Sequence, residues 1–159
     1  MPARSATSNR AVSVPATGQG PVGRIVHGGC TTDLVGLAAA TYMRGVPWVA
    51  VPTTLVGQVD AAIGGKTAVD LPGGKNLVGA FHWPARVVID PGTLETLPDA
   101  ELRNGMAEAV KTGLLMGCPV WELPLADLVR RCASFKAAVC LADPHDRGPR
   151  RGGQVDRGD

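Results

Sequence analysis

Aromatic residues are scarce in this sequence. Three Trp, two Phe and one Tyr make up 4% of the 159 residues, so a core has to be assembled from Val, Leu, Ile and Ala. No apolar run is long enough to cross a bilayer, and the first thirty residues carry no hydrophobic signal core. The expectation is a cytoplasmic protein with no membrane partner. Neither sign of charge dominates: 16 Lys and Arg against 14 Asp and Glu leave a formal +2, which argues against a nucleic-acid partner. Four cysteines, Cys30, Cys118, Cys132 and Cys140, show no CxxC spacing and read as buried thiols of a reducing compartment. Histidine is limited to His27, His82 and His145, none in HxxxH spacing, so no complete zinc site is visible.

What is plentiful is glycine (21) and proline (13), the residues of tight turns. Met1 to Gly20 is small, polar and aperiodic and reads as disordered or as a wrong start, with order beginning near Gly28. Thr31 to Arg44 predicts a helix. Leu34, Leu37, Ala38 and Tyr42 fall roughly at helical spacing, Thr31 or Thr32 is available as a cap, and Gly45 ends the run. Trp48 to Val51 and Arg86 to Asp90 predict two buried strands of a parallel sheet, each stopped by a proline. Thr53 to Gly79 between them is too rich in glycine and polar residues for a plain connection. From Pro98 onward only helices are expected. One is capped by Asp99 and offers Leu102, Met106, Val110, Leu114 and Leu115 to the core. The other runs from Leu125 to Leu141 with Leu125, Leu128, Val129, Cys132, Phe135 and Val139 on one side. The change of pattern predicts a domain boundary near Leu94 to Pro98.

Several groups could carry chemistry. The pair Gly28-Gly29 ahead of a helix suits a phosphate, although without GxGxxG the pair alone is better explained as a simple tight turn. The segment from Asp60 to Thr67, DAAIGGKT, ends like a phosphate loop, but Asp60 stands where such a loop needs glycine, which excludes a Walker-type ATPase. Two glycine-flanked lysines remain, Lys66 and Lys75-Asn76 after Gly73-Gly74, and they suit a phosphorylated or anionic ligand better than plain solvated surface. Glu108 and Lys111 share a helix face. They are either a surface ion pair or, in the uncharged setting NGMAEAVKTGLL, a carboxylate and an ammonium facing an interior site.

Taken together, the blocks DLVGLAAATYMRGV, VPTTLVGQVDAAIGGKTAVDLPGGKNLVGAFHWP, IDPGTLETLP and NGMAEAVKTG closely resemble 3-dehydroquinate synthase, and a weaker likeness continues through LVRRCASFKAAVCLADPHDRGPR. The likeness covers roughly residues 28 to 150. It implies an α/β fold followed by an all-α one: the C-terminal part of a Rossmann-like nucleotide-binding domain (28–96) and the first helices of a helical metal and substrate domain (97–146), between off-pattern ends (1–27 and 147–159). It also implies a lyase of the shikimate pathway, which leads to chorismate and the aromatic amino acids. That enzyme uses NAD and a divalent metal, Zn2+ or alternatively Co2+. It converts 3-deoxy-D-arabino-heptulosonate 7-phosphate to 3-dehydroquinate with loss of phosphate, and the full-length family is expected to be homodimeric.

Carried over by position, the resemblance places Gly28, Gly29, Asp33, Thr53, Thr54, Lys66, Lys75, Thr93 and Thr96 at the NAD. Asp60, Lys66, Asn76, Lys111, Lys136 and Arg150 fall at the substrate, Arg44 reaches across a dimer interface, and Glu108 is one of three metal ligands. His27 departs from the family's first turn glycine. The family's Asn-x-Gly-His segment has no counterpart after Arg150, so the sequence is expected to be a frameshifted or truncated reading, inactive alone and poorly soluble. Two other readings stay open: a non-catalytic NAD-binding remnant, and a related sugar-phosphate cyclase of secondary metabolism.

Overall fold

The computed structural model describes residues 23–27 and 29–148, with side chains from Thr31 onward. Gly28, Arg150 and the expected disorder of Met1 to Gly20 lie outside the described residues.

Strand β1 (Gly23–His27), helix α1 (Gly29–Thr41) and strand β2 (Trp48–Pro52) form a β-α-β unit, with the strands parallel and in register from Gly23↔Trp48 to His27↔Pro52. The sequence reading began the order near Gly28 and so missed β1. α1 also starts earlier than expected, which puts Thr31 and Thr32 inside its first turn rather than at its cap. It passes into a 3-10 turn, Tyr42–Arg44, and stops at Gly45 with φ 108°, the left-handed conformation that glycine adopts without penalty.

The face of α1 that packs is not the one the leucines suggested. Thr32, Gly36 and Ala39 are buried, whereas Leu34 and Tyr42 are more than half exposed. The segment is apolar nearly all round, so periodicity could not choose a face. Contact distance chose it: a Cβ on Gly36 would sit 2.3 Å from Thr67 Cγ2 and 3.1 Å from Trp48 Cζ2.

After β2 a π-helical turn, Gly57–Ala61, leads to an antiparallel hairpin of β3 (Lys66–Leu71) and β4 (Gly74–Phe81). A short β5 (Arg86–Val87) then completes the parallel sheet in the order β1-β2-β5. Only these two residues of the expected strand Arg86 to Asp90 pair. A 3-10 turn, Pro91–Thr96, precedes α2 (Asp99–Met116), a 3-10 turn Val120–Glu122, and α3 (Leu125–Ala142). Pro98, not Asp99, occupies the N-cap of α2, with no side-chain cap bond.

Two apolar clusters hold these elements. Ala39, Trp48, Ala50 and Ala62 form one against the sheet. Leu55, Val59, Leu94, Ala109, Val120, Leu128, Val129 and Cys132 form the other, under α2 and α3. The π turn feeds Val59 to the second, and Ala62 just after it feeds the first. α2 reaches the second cluster through buried Gly105, Ala109, Thr112 and Gly113 and, as expected, through half-buried Leu102 and Met106, while Val110 is exposed and Leu114 and Leu115 are about 70% exposed. On α3, Leu128, Val129 and Cys132 are buried as expected, but Leu125 and Val139 are exposed.

Candidate functional site

The π turn, the β3–β4 hairpin, α3 and the turn that follows α3 enclose a cavity of about 700 Å³. Asp60 on the π turn is its electrostatic centre. Lys136 Nζ from α3 lies 2.6 Å from Asp60 Oδ1, and Lys111 Nζ from α2 lies 3.8 Å from Oδ2. Lys111 also holds Glu108, one helical turn back. The hydrogen bond to Glu108, aided by the Asp60 charge, pushes the Lys111 ammonium above its ordinary pKa. Residues 60, 108, 111 and 136, remote in sequence, thus form one network of two carboxylates and two ammonium groups. The π geometry contributes to this: Ala62 N–H reaches back five residues to the Gly57 carbonyl at 3.1 Å, and such wide turns recur at functional sites.

Asp33, in the second turn of α1, lines the same cavity. Burial, then the charges of Asp70 and Asp60, push its carboxyl from the ordinary 3.8 up to about 6. It is therefore partly protonated near neutrality. Asn76 also lines the cavity, with φ 55° and its N–H donating to Asp70 Oδ1 at 2.9 Å.

The turn after α3 closes the cavity over the hairpin. Asp143 accepts from the backbone N–H groups of Arg147 (3.0 Å) and Gly148 (2.7 Å), which hold its carboxyl below the usual range. His145 and Phe81 are in ring contact at 5.6 Å, and Asp146 pairs with Lys66. Cys140 Sγ approaches the Ile63 carbonyl at 3.6 Å. Of the thiols expected to be buried, Cys132 is, whereas Cys118 and Cys140 are half-buried and Cys140 lines the cavity.

A second cluster sits where the parallel strands end. β1 and β2 finish level with each other at His27 and Pro52. Gly29 opens α1 directly after β1, and no acidic residue occupies the first turn of that helix. Thr53 and Thr54 follow β2. Gln58, fully buried, reaches across from the π turn, and its Nε2 contacts the Pro52 carbonyl (3.1 Å), the Asp90 carbonyl (2.8 Å) and Thr93 Oγ1 (3.0 Å). Crevices at the carboxyl ends of parallel strands are where open α/β sheets bind ligands.

The structure therefore brings Asp33, Asp60, Lys66, Asn76 and Lys136 to one cavity, joins Lys111 and Glu108 to it through Asp60, and gathers Thr53, Thr54 and Thr93 at the strand ends. Arg44, Lys75 and Thr96 are exposed and lie outside the cavity lining. The two glycine-flanked lysines are not two loops closing on one anion. They stand near opposite ends of one hairpin, with Lys66 paired to Phe81 and Lys75 beside the Leu71↔Gly74 turn, about 15 Å apart at the usual strand rise. Sequence reasoning did not single out Gln58, Cys140, Asp143 or Asp146. A lone amide inside the apolar run LVGQV was the available signal for Gln58.

As for a metal, no group of three His, Cys, Asp or Glu among the described residues could hold one. Glu108, the expected ligand, is instead paired with Lys111. The described residues thus offer one candidate ligand, Glu108, and not a complete metal centre.

The sequence matches the family model for 3-dehydroquinate synthase, N-terminal, over residues 21–104. The 3-dehydroquinate synthase of Latilactobacillus sakei subsp. sakei (strain 23K) is 48% identical over 136 residues, covering 78% of this chain and 38% of its own length. That of Symbiobacterium thermophilum is 49% identical over 140 residues, covering 77% and 38%. The chain thus spans about 38% of the length of these curated relatives. Among solved structures, the 2-epi-5-epi-valiolone synthase ValA of Streptomyces hygroscopicus subsp. jinggangensis 5008, with NAD+ and Zn2+ bound, superposes with a TM-score of 0.71 at 34% identity, covering 80% of this chain and 40% of that one. A 2-deoxy-scyllo-inosose synthase complexed with carbaglucose-6-phosphate, NAD+ and Co2+ superposes at 0.69 and 31%, covering 78% and 39%. The family match takes in more than half of the chain, and the chain belongs to the 3-dehydroquinate synthase family.

Proposed function

We propose that this chain is the cofactor- and substrate-binding portion of a 3-dehydroquinate synthase, which converts 3-deoxy-D-arabino-heptulosonate 7-phosphate to 3-dehydroquinate with loss of phosphate. The observation that carries the reading is the network in which Lys111 and Lys136, from two helices, converge on Asp60. Identities of 48–49% to 3-dehydroquinate synthases against 31–34% to the other cyclases favour this branch over secondary metabolism.

The strand-end crevice fits NAD. Gln58 is a fully buried amide whose oxygen has no partner, Thr54 accepts from Gly57 N–H at 3.2 Å and keeps its hydroxyl hydrogen for a ligand, and the α1 N-terminus favours an anion such as the pyrophosphate. When bound, NAD supplies a hydride acceptor, and a ketone made beside a C–H bond acidifies that bond for elimination. In this reading Gly28, Gly29, Asp33, Thr53, Thr54, Thr93 and Thr96 hold the dinucleotide, with Lys75 nearby. Lys66, Asn76, Lys136 and Arg150 hold the phosphate end, and Asp60 and Lys111 orient the substrate hydroxyls. Arg44 would serve a partner subunit. No step is assigned to a metal, because Glu108 stands alone toward one. Binding rather than turnover is what the described residues equip the chain for.

The test is titration of the chain with NAD, followed by tryptophan fluorescence, since Trp83 lines the cavity against Gly65. Saturable binding of one NAD per chain is expected. Inorganic phosphate should bind the NAD complex, about tenfold more weakly after Lys136→Met, the loss expected for one charge-assisted hydrogen bond. Absence of NAD binding at millimolar concentration would overturn the proposal.

A further inference from the structure

We infer that the indole N–H of Trp83 is a further hydrogen-bond donor to the anion that enters the cavity, an uncharged donor held beside Lys66. The inference rests on the reading above, in which this cavity takes the phosphate end of the substrate.

The sequence has three tryptophans, and each indole offers one donor and no acceptor. Trp48 is buried and gives its N–H to the His82 carbonyl at 3.3 Å. Trp121 is exposed and lies against Gly113 of α2, outside the cavity lining. Trp83 is half-buried and lines the cavity. Its Nε1 makes no hydrogen bond among the described residues. Nor is it sealed in: among them, Gln58 Oε1 is the one enclosed side-chain atom without a partner. The Trp83 donor is therefore accessible and unclaimed, whereas a half-buried indole N–H ordinarily finds a partner.

Gly65 explains how the ring reaches this place. A Cβ on Gly65 would lie 2.5 Å from both Cδ1 and Nε1 of Trp83. The N–H edge of the indole thus rests on the Gly65 backbone, one residue before Lys66. The neighbouring residue is anchored as well. His82 N–H donates to the Gly65 carbonyl at 2.7 Å, and His82 Nε2 meets the Val46 carbonyl at 2.9 Å. Pro84 disfavours helical backbone at Trp83. A donor held in this way loses little freedom when it binds. The cavity's two lysines are already engaged, Lys66 with Asp146 and Lys136 with Asp60. An incoming anion must compete with those carboxylates for the ammonium groups, but it meets the Trp83 N–H unopposed.

The experiment is proton–nitrogen correlation nuclear magnetic resonance of the indole groups in the NAD complex of the full chain, titrated with inorganic phosphate. The signals are assigned with Trp48→Phe, Trp83→Phe and Trp121→Phe. The Trp83 signal should move downfield and saturate with phosphate, and the other two should move far less. Phosphate should bind about tenfold more weakly to Trp83→Phe, the loss expected for one hydrogen bond to a charged group. The same loss is expected when benzothienylalanine, which keeps the ring shape but has sulfur in place of N–H, occupies the position. Wild-type phosphate affinity in that variant, or an unmoved Trp83 signal at saturation, overturns the inference and leaves the NAD reading intact. Should the variants fail to fold, the wild-type titration decides alone. A wild type that binds NAD but no phosphate also overturns the inference, and one that binds no NAD overturns both.

Discussion

Gly105 is where α2 touches the segment that leads into the π turn, and replacing it with alanine sets two effects against each other. Helix propensity alone favours alanine over glycine by about 1 kcal/mol. Packing opposes it. A Cβ there would lie 2.4 Å from Leu55 Cβ, 2.6 Å from Leu55 Cγ and 2.8 Å from the Val56 backbone nitrogen. Leu55 is fully buried and Val56 N is main chain, so neither can swing aside. Normal carbon contacts of about 3.5–4.0 Å require α2 to move outward by roughly 1 Å. Overpacking of this kind costs about 1–3 kcal/mol and occasionally more. At the upper end of that range the net loss is about 2 kcal/mol, or about 4–8 °C in Tm for a chain of this length. The displaced helix carries Glu108 and Lys111, so phosphate binding should weaken as well. Urea and thermal denaturation of Gly105→Ala measure the loss. Gly73→Ala is the control, because its nearest atom, Leu77 Cδ1, is at an ordinary 3.8 Å, and it should change stability by less than about 0.5 kcal/mol. A Gly105→Ala protein as stable as wild type would refute the close approach of α2.

Three further outcomes are expected. Asp33 holds its proton up to a pH of about 6 in the fold against an ordinary 3.8, so the stability present below pH 3.8 is lost as pH rises through 6. Asp33→Asn should therefore gain about 1–2 kcal/mol at pH 7.5, after allowance for solvent screening, and almost nothing at pH 4; equal gains at both pH values in urea titrations would contradict this. Lys136→Met leaves Asp60 with only Lys111 at 3.8 Å, and for this half-buried, solvent-screened pair the loss should be about 1 kcal/mol by thermal denaturation, falling at high salt. Leu114 and Leu115 expose most of their surface, so sedimentation should show self-association that the double change to Glu relieves; an unaltered sedimentation profile would place the association elsewhere.

Much of the fold was legible because the signals were local. Gly45 stops α1, apolar WVAV makes a buried strand, and Leu128, Val129 and Cys132 fall on one face of α3. The face of α1 was not legible, and that of α2 only in part, through Leu102 and Met106. Leucine spacing pointed to Leu34, Leu114 and Leu115, yet Gly36, Gly105 and Gly113 face the interior. A glycine has no hydrophobic signal of its own, and its value appears only when another backbone comes within contact distance. The hairpin was hidden for a related reason, since GGK written twice looked like two anion loops rather than the two strands of one turn-linked pair.

The sequence by itself determined the family, the candidate residues and the helix-only character of the second half, because motif order and local pattern survive without coordinates. Tertiary structure alone decided the rest. Asp60 meets Lys111 and Lys136 because the π turn and two helices close on one cavity, and no local spacing encodes that meeting. Gln58 became visible as an organiser of the strand ends only when its amide was seen buried among the carbonyls of Pro52 and Asp90 and the hydroxyl of Thr93. Hydrogen-bond satisfaction in an interior depends on which chain segments converge, and convergence is a property of the folded chain.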